Sequence, residues 1–379
     1  MMGLSGEISI SPVQDGAALE EFLRLPWRIY GGDPYWVPPI LSEQRKFLDP
    51  QRGSFFEIGE ARYFLAYRDG QVVGRLSAHI NRLHDTHHGP ETGFFGFFEC
   101  IDNQDAAAAL FEAAATWLRE RGKSRLIGPL NFGIYDEMGL LVEGFDSMPV
   151  IFQTHNPPYY LDLLTALGFV KAADWHAYKI TNRNVDLEAM ERRYEDIMRG
   201  QDIQVATYNP KEVDRRADEV FELFNREWEP LWGHVPLTRR QFDDMLEMVK
   251  PCLRREMAYV LLDHDRVAGF GIGLPDLNPL IRELNGRLTL WGKLRLLYWA
   301  KYRPVRKVRA MVVGISQPYQ RRRLHIALFL RSYIHLVRHT PCEMADFSLI
   351  PETHRHWIKI LMAFGAQRYK VFRVFEKPI

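Results

Sequence analysis

Two pairs of glycines constrain this chain more than any motif in it. Gly74 sits inside a strand-like run just after an Asp69-Gly70 turn, and Gly269 holds the same place after His264-Asp265. Gly168 closes a short helical run in Leu167-Gly168-Phe169, and Gly365 does so in Phe364-Gly365-Ala366. The offset is 195 residues from Gly74 to Gly269 and 197 from Gly168 to Gly365. Two independently placed landmarks repeating at nearly one interval mark a duplicated domain. A chain of 379 residues is long enough to bury two medium cores. The fold must therefore be one that half of the chain can build, twice.

The periodicity within each half gives its plan. In the first half, Tyr63–Tyr67 and Val72–Ala78 read as a hairpin around the Asp-Gly turn. Phe94–Ile101 then reads as a strand, Asp105–Arg121 as a helix ending at Gly122, and Arg125–Leu130 as a strand. The half closes with a helix over Tyr159–Leu167 and a strand pair in Phe169–Ile180. The second half gives a hairpin over Ala258–Asp263 and Val267–Ile272, a strand at Val308–Ile315, a helix at Arg321–Arg338 and a strand at Cys342–Leu349. It closes with a helix over His354–Phe364 and strands in Ala366–Glu376. A strand is expected at Gly3–Pro12, and a histidine-rich solvated turn at His84–His88 without the spacing of a metal site. The aromatic run Tyr30–Pro39 reads as a loop over a core edge or a substrate lid. The halves join near Thr181–Asp202, a charged helix with no obvious buried stripe. The expected fold class is α/β, with domains over 1–185 and 186–379.

Each copy carries its own insertion: Asn131–Asn156 in the first and Pro275–Lys307 in the second. In the second copy, the Val308–Ile315 strand runs through a Ser316–Tyr319 turn into a helix that begins Gln320-Arg321-Arg322-Arg323. The first-turn N–H groups of a helix point along the positive end of its dipole, and arginines there suit that end to phosphates. The same three arginines equally fit an ordinary solvated first turn.

This strand–turn–helix stretch resembles the acyl-CoA segment of the GNAT superfamily of N-acyltransferases, whose helix opens with Q/R-x-x-G-x-G/A. Gln320 matches the first position, while Arg323 and His325 stand where the glycines are expected. Strand order and the closing glycine turns extend the resemblance over most of the chain, as two tandem GNAT-like domains, each a mixed central β-sheet flanked by helices. The resemblance implies an N-acyltransferase with acyl-CoA as co-substrate and no metal. Its CoA segment here is Met311–Ile315, with Val313, Gly314 and Ile315 on the pantetheine and Gln320, Arg321, Arg322 and Arg323 near the phosphates. The first copy has Asp102–Ala106 in the corresponding place, with no basic residue. Acidic groups there repel CoA phosphates, so the second copy is the expected CoA binder.

N-acyl transfer needs a base for the amine. The GNAT pattern often puts a glutamate mid-sheet, and Glu99 fits by type and by strand position. Among Phe94, Phe95, Phe97 and Phe98, a buried Glu99 has a raised pKa; a strand-end carboxylate facing solvent does not. The first insertion adds Tyr135, Asp136 and Glu137 between Gly133 and Gly139, followed by His155, Asn156 and Tyr159. A glycine-flanked polar cluster after a strand is where open α/β sheets bind ligands.

The second insertion bears on partners. Arg282–Arg309 carries nine Lys or Arg and one acid, Glu283, with Leu290, Trp291, Leu294, Leu297 and Tyr298 at helical spacing. Such a segment suits an anionic membrane surface, or docks on its own protein with the bases solvated. The formal charge of the whole chain is only +1, and no nucleic-acid recognition module is present. GFFGFFEC, YDEMGLLVEGFD and NPPYY together with this layout resemble the bacterial acyl-CoA-dependent ceramide synthases. That likeness implies a lipid amine such as a sphingoid base, with a soluble amine or a non-catalytic binding role as alternatives. Three scattered cysteines and an N-terminus without a basic and apolar leader pattern fit a cytoplasmic protein, peripheral on the inner face of the membrane.

Overall fold

The computed structural model describes residues 6–182, 185–207 and 209–379, with the backbone alone at 210–214. Gly3–Ser5 of the expected first strand lie outside the described residues. Two compact α/β units are present. The first takes the chain up to Trp175 together with Leu280–Leu288 and Lys370–Ile379; the second takes His176–Pro279 and Thr289–Tyr369.

The sheet of the first unit runs in the order Ile8–Pro12, Gly59–Arg68, Gln71–Asn81, Thr92–Cys100, Arg125–Gly128 and the C-terminal strand Gln367–Pro378. Neighbours are antiparallel except Thr92–Cys100 and Arg125–Gly128, which pair in parallel only over Thr92–Phe94. Helix Gln104–Arg119, capped by the Asn103 side chain, buries Leu110, Ala114 and Leu118 on one face of this sheet. Helix Gly16–Ile29 buries Phe22, Leu23 and Leu25 in a separate cluster with Leu65 and Phe97. Leu65 and its neighbours Phe64 and Ala66 fall in different clusters, as strand alternation requires.

The landmark glycines now have physical reasons. A Cβ on Gly74 would meet Leu110 Cδ1 at 2.7 Å, and one on Gly269 would meet Ile315 Cγ1 at 2.5 Å. Both mark places where a neighbour comes too close for a side chain. Gly168 and Gly365 end their helices with φ of +81° and +84°, the left-handed region that glycine enters freely.

In the second unit the sheet order is Met344–Pro351, Lys307–Ile315, Arg266–Pro275, Ala258–Asp263 and Gln204–Thr207. Lys307–Ala310 pairs in parallel with Met344–Phe347, and there the parallel pairing ends. Helix Leu324–His339 buries Leu324, Ala327, Leu328 and Leu330 against this unit's core.

Several local readings change. The joint helix Leu187–Met198 does bury a stripe, Met190 and Ile197, which the charged run Glu191–Arg193 and Glu195–Asp196 between them had obscured. The histidine-rich turn is a short helix, Arg82–His88, capped by Asn81 with His84 buried. The closing strand pairs are each one long strand, Val170–Thr181 and Gln367–Pro378. The second insertion splits into helices Asn278–Leu284 and Leu290–Tyr302. Its Leu280–Leu288 stretch belongs to the first unit, where Trp27 Nε1 donates to Asn285 Oδ1 at 2.7 Å and Leu41 N to the Gly286 carbonyl at 3.0 Å.

The C-terminal strand is integral to the first unit. Phe375–Pro378 pairs with Arg125–Gly128, and Val371–Arg373 with Leu140–Glu143. Phe372 is wholly buried there. Phe372→Ala is expected to destabilise the protein by about 3–5 kcal/mol, read as a lower urea midpoint with an unchanged slope.

Candidate active site

The Thr92–Cys100 strand of the first unit carries a bulge. Arg75 faces Glu99, but Ser77 faces Gly96, so this strand has one residue more than its partner. Phe97 absorbs the irregularity with φ of +50°. The bulge frees the Phe97 N–H from the ladder, and it donates to Asn131 Oδ1 at 2.8 Å. Gly96 is required beside it, because a Cβ would meet the Leu130 carbonyl oxygen at 2.1 Å.

Two residues past Phe97, Glu99 turns its carboxylate into a closed set of partners. Oε2 accepts from the Tyr30 hydroxyl at 2.9 Å and the Tyr160 hydroxyl at 2.7 Å. Oε1 lies 3.6 Å from Arg75 Nη2. Arg75 is itself buried, donating to the Phe22 carbonyl at 2.6 Å and lying over the Phe22 ring. Burial raises the pKa of Glu99 above the ordinary carboxylate value, against the pull of Arg75, Tyr160 and Tyr30. The strand position therefore leaves the Glu99 side chain only 14% exposed, largely buried among these partners and not facing solvent.

The residues picked from the first insertion are not equivalent. Glu137 accepts from Asn131 Nδ2 at 3.2 Å, and burial raises its pKa against Asn131 and Arg75. It is close enough to Glu99 to raise that group's pKa further. Asp136 follows a turn in which its N–H donates to the Gly133 carbonyl. Neighbouring protein atoms and Glu137 raise its pKa, but its side chain keeps contact with solvent, which limits the effect. Tyr135 is half-buried in the same turn, and burial raises its phenol. So Glu99 and Glu137 share one electrostatic environment, in which Arg75 acts on both and Asn131 holds Glu137.

A second pair stands beside it. His155 Nε2 lies 2.8 Å from Asp33 Oδ2, and the His155 carbonyl, 3.0 Å from the Tyr30 hydroxyl, shares that hydroxyl's single hydrogen with Glu99. The Tyr30 ring is stacked on Trp36 at 4.9 Å, and Trp36 meets Trp27 edge-on at 5.2 Å. The Tyr30–Pro39 loop thus brings a hydroxyl, a carboxylate and one indole to the site, and the preceding helix adds Trp27. Arg75 and Tyr160 escaped the sequence reading. The signal for Arg75 was present, as a lone cation inside the apolar run Val72–Ala78. Tyr160 lay one residue beyond the tyrosine singled out.

In the second unit, the Lys307–Ile315 strand is paired with Arg266–Pro275 up to Ile315, but with Met344–Pro351 only up to Ala310. Met311–Ile315 therefore turns an edge without a strand partner, and this stretch holds Val313, Gly314 and Ile315. Val313 is exposed, whereas Gly314 packs against Trp228, whose ring a Cβ would meet at 2.5 Å. A short turn of helix, Gln317–Arg321, precedes the main helix. Gln320 Nε2 donates to the Ile315 carbonyl at 2.7 Å and so holds the turn, while the residue stays exposed. Arg322 is engaged with Gln201 and lies over Tyr319. Arg323 has φ of +61°, in the left-handed region that glycine enters most freely. The Arg321, Arg322 and Arg323 side chains are all exposed.

No protein-family model matches the chain. It is 32% identical over 368 residues to Protein YghO of Escherichia coli (strain K12), covering 95% of this chain and 93% of that one. It is 29% identical over 381 residues to the bacterial ceramide synthase of Caulobacter vibrioides (strain NA1000 / CB15N), covering 99% and 98%. Among solved structures, a tandem GNAT protein from the clavulanic acid biosynthesis pathway superposes with a TM-score of 0.57 over 98% of both chains, at 14% identity.

With Glu99 as the base, Glu99→Gln is expected to stay folded and lose about 10²–10⁴ in rate. Tyr30→Phe removes one donor that stabilises the Glu99 anion. The Glu99 pKa then rises, and the acid limb of the pH–rate profile moves to higher pH. A limb that stays in place, or moves down, removes Glu99 from the role.

Proposed function

The chain belongs to the tandem GNAT N-acyltransferase family that includes Protein YghO and the bacterial ceramide synthase, and we propose that it acylates a lipid amine, of the sphingoid-base class, at an anionic membrane surface. Acyl-CoA is the donor. The ceramide synthase relative supports the substrate class, and one helix of this chain carries the reading further.

That helix is Leu290–Tyr302. It turns its small residues, Gly292 and Ala300, into the protein and its large apolar residues outward. Leu290, Trp291 and Tyr302 are 74%, 77% and 71% exposed, and Leu294, Leu297 and Tyr298 are exposed between them. These six lie on one helical face, the reverse of a helix docked on its own core. The helix has no acidic residue, and Lys293, Arg295, Lys301 and Arg303 stand exposed on and beside it. An aromatic and leucine face bordered by cations matches the boundary of a bilayer with anionic lipid. Arg254 fixes the helix end, donating to the Trp299 carbonyl at 2.8 Å and the Arg303 carbonyl at 2.9 Å, and also to the Ala300 carbonyl. Among the described residues no helix is long and apolar enough to cross a membrane.

The chemistry assigns separate tasks. Glu99 takes a proton from the amine as its nitrogen attacks the thioester carbonyl. The C–N bond forms, the C–S bond breaks, and CoA leaves as the thiolate. The unpaired edge at Met311–Ile315 offers backbone groups to the pantetheine, and Arg321 and Arg323 offer guanidinium groups to the phosphates. The first unit is unsuited to that task. Leu130 N donates to the Phe95 carbonyl and Asn131 occupies the bulge amide, while Asp102 and Asp105 flank the helix start.

Charge reversal at both Arg321 and Arg323 is expected to weaken acyl-CoA binding at least tenfold in a titration; unchanged affinity returns these arginines to a solvated surface. Purified protein with acyl-CoA and a sphingoid base is expected to yield the N-acyl product by mass spectrometry. Sedimentation with vesicles of graded anionic content tests the surface. Each cation near such a leaflet contributes about 1 kcal/mol, so binding should rise with anionic lipid and fall with salt. A Lys293/Arg295/Lys301/Arg303→Glu variant should not sediment. Binding indifferent to lipid charge, salt and these substitutions removes the membrane and favours a soluble amine.

A further inference from the structure

We propose that Arg309 is a positioning residue that holds the acyl-CoA edge of the second unit open. The proposal rests on the reading of Met311–Ile315 as the donor's edge. It adds the side chain that keeps the neighbouring strand from covering that edge.

The opening itself needs a cause. Arg309 pairs with Asp346 and Ala310 with Phe347, and both strands run on, to Ile315 and to Pro351, while the pairing stops. In the same register, Met311 and Ser348 would meet next. Free strand edges side by side tend to close, because each new bond satisfies two backbone groups. Here a side chain intervenes. Arg309 donates twice to the Ser348 carbonyl oxygen, from Nε at 3.3 Å and from Nη2 at 3.2 Å. A carbonyl oxygen has two lone pairs, so one guanidinium fills it. An acceptor at the point where pairing stops is thus closed to the strand opposite.

The guanidinium is fixed in turn. Arg309, Ser348 and Asp346 are all buried. Asp346 Oδ1 accepts from the Ser348 hydroxyl, and Oδ2 accepts from the Tyr369 hydroxyl at 2.6 Å. Burial weighs against the charge of Arg309, and Asp346 supports it. Apolar residues of similar volume would pack such a place at less cost, so packing alone does not account for a buried arginine here. The first copy shows the alternative. Its last parallel pair is Phe94 with Ile127, which puts Gly93 in the place of Arg309. No side chain fits there, because a Cβ would meet Leu118 Cδ2 at 2.5 Å. Without an arginine, the neighbouring segment reaches across, and Leu130 N donates to the Phe95 carbonyl at 2.8 Å.

Arg309→Met/Asp346→Asn tests this, because it keeps the volume and leaves no buried charge without its partner. Arg309→Met alone is the second variant. The full chain is followed by hydrogen–deuterium exchange of the 308–316 segment and titrated with palmitoyl-CoA. Both variants should slow the fast-exchanging amides of that segment about tenfold, as the ladder extends, with circular dichroism unchanged. Palmitoyl-CoA should bind about tenfold more weakly. Faster exchange with weaker binding makes Arg309 a packing residue only and overturns the proposal. Slower exchange with unchanged affinity overturns it as well, since the edge that closed is then not the one acyl-CoA uses. Unchanged exchange overturns it whatever the affinity. If the wild type binds no palmitoyl-CoA, the donor reading fails, while slower exchange in the variants still supports Arg309 as the residue that parts the strands.

Discussion

The first unit is incomplete until the last residues of the chain arrive. Val371–Pro378 supplies a strand that pairs with Arg125–Gly128 on one register and Leu140–Glu143 on the other. Lys370 is buried with it, its Nζ donating to the Ser147 carbonyl at 2.8 Å and to that of Gly144, and Arg373 grips Asp174 with two bonds of 2.7 and 3.0 Å. These contacts span some two hundred residues of sequence, so loop closure must precede the gain from pairing. The insertion that carries the candidate carboxylates is thus braced by the C-terminal strand. The integrity of the Glu137 turn depends on a segment that sequence proximity would never link to it.

Within that frame, the electrostatics follow from taking one carboxylate out of water. A buried Glu99 without partners would be costly, and the structure answers with a buried cation and two phenols. Arg75 arrives by cross-strand register, Tyr160 from the closing helix, and Tyr30 from the aromatic loop. Three separate segments converge on two oxygens. This leaves Glu99 with a pKa raised by burial yet not released from its partners, a useful state for a base that must be ionised before reaction and take a proton during it. Glu137, sharing Arg75, biases the same equilibrium toward protonation.

The two copies have diverged in what they do with one opening in the sheet. Both separate their parallel central strands after a few residues. In the first, Asn131 and Leu130 take up the freed backbone groups. In the second, the Met311–Ile315 edge stays unpaired and leads into the arginine turn. Arg323 shows how far this departs from a glycine loop. It reaches the left-handed conformation at some energetic cost and puts a guanidinium where a glycine would leave only backbone.

The sequence by itself determined the duplication, the α/β class, the hairpins and the candidate glutamate, because each is written in local or evenly repeated signals. Turn chemistry at Asp69-Gly70, the helix-ending glycines and the lone acid among phenylalanines are properties of neighbouring residues. The basic, leucine-rich segment was equally visible, but not the direction it faces. Only the tertiary structure showed that Gly292 and Ala300 turn inward and the large apolar residues outward, since which side of a helix is covered depends on what packs against it. The same holds for the partners of Glu99 and for the Asp33–His155 pair, 122 residues apart. A hydrogen bond needs two atoms within about 3 Å, and for distant residues that distance is set by the folded chain and by no pattern along it.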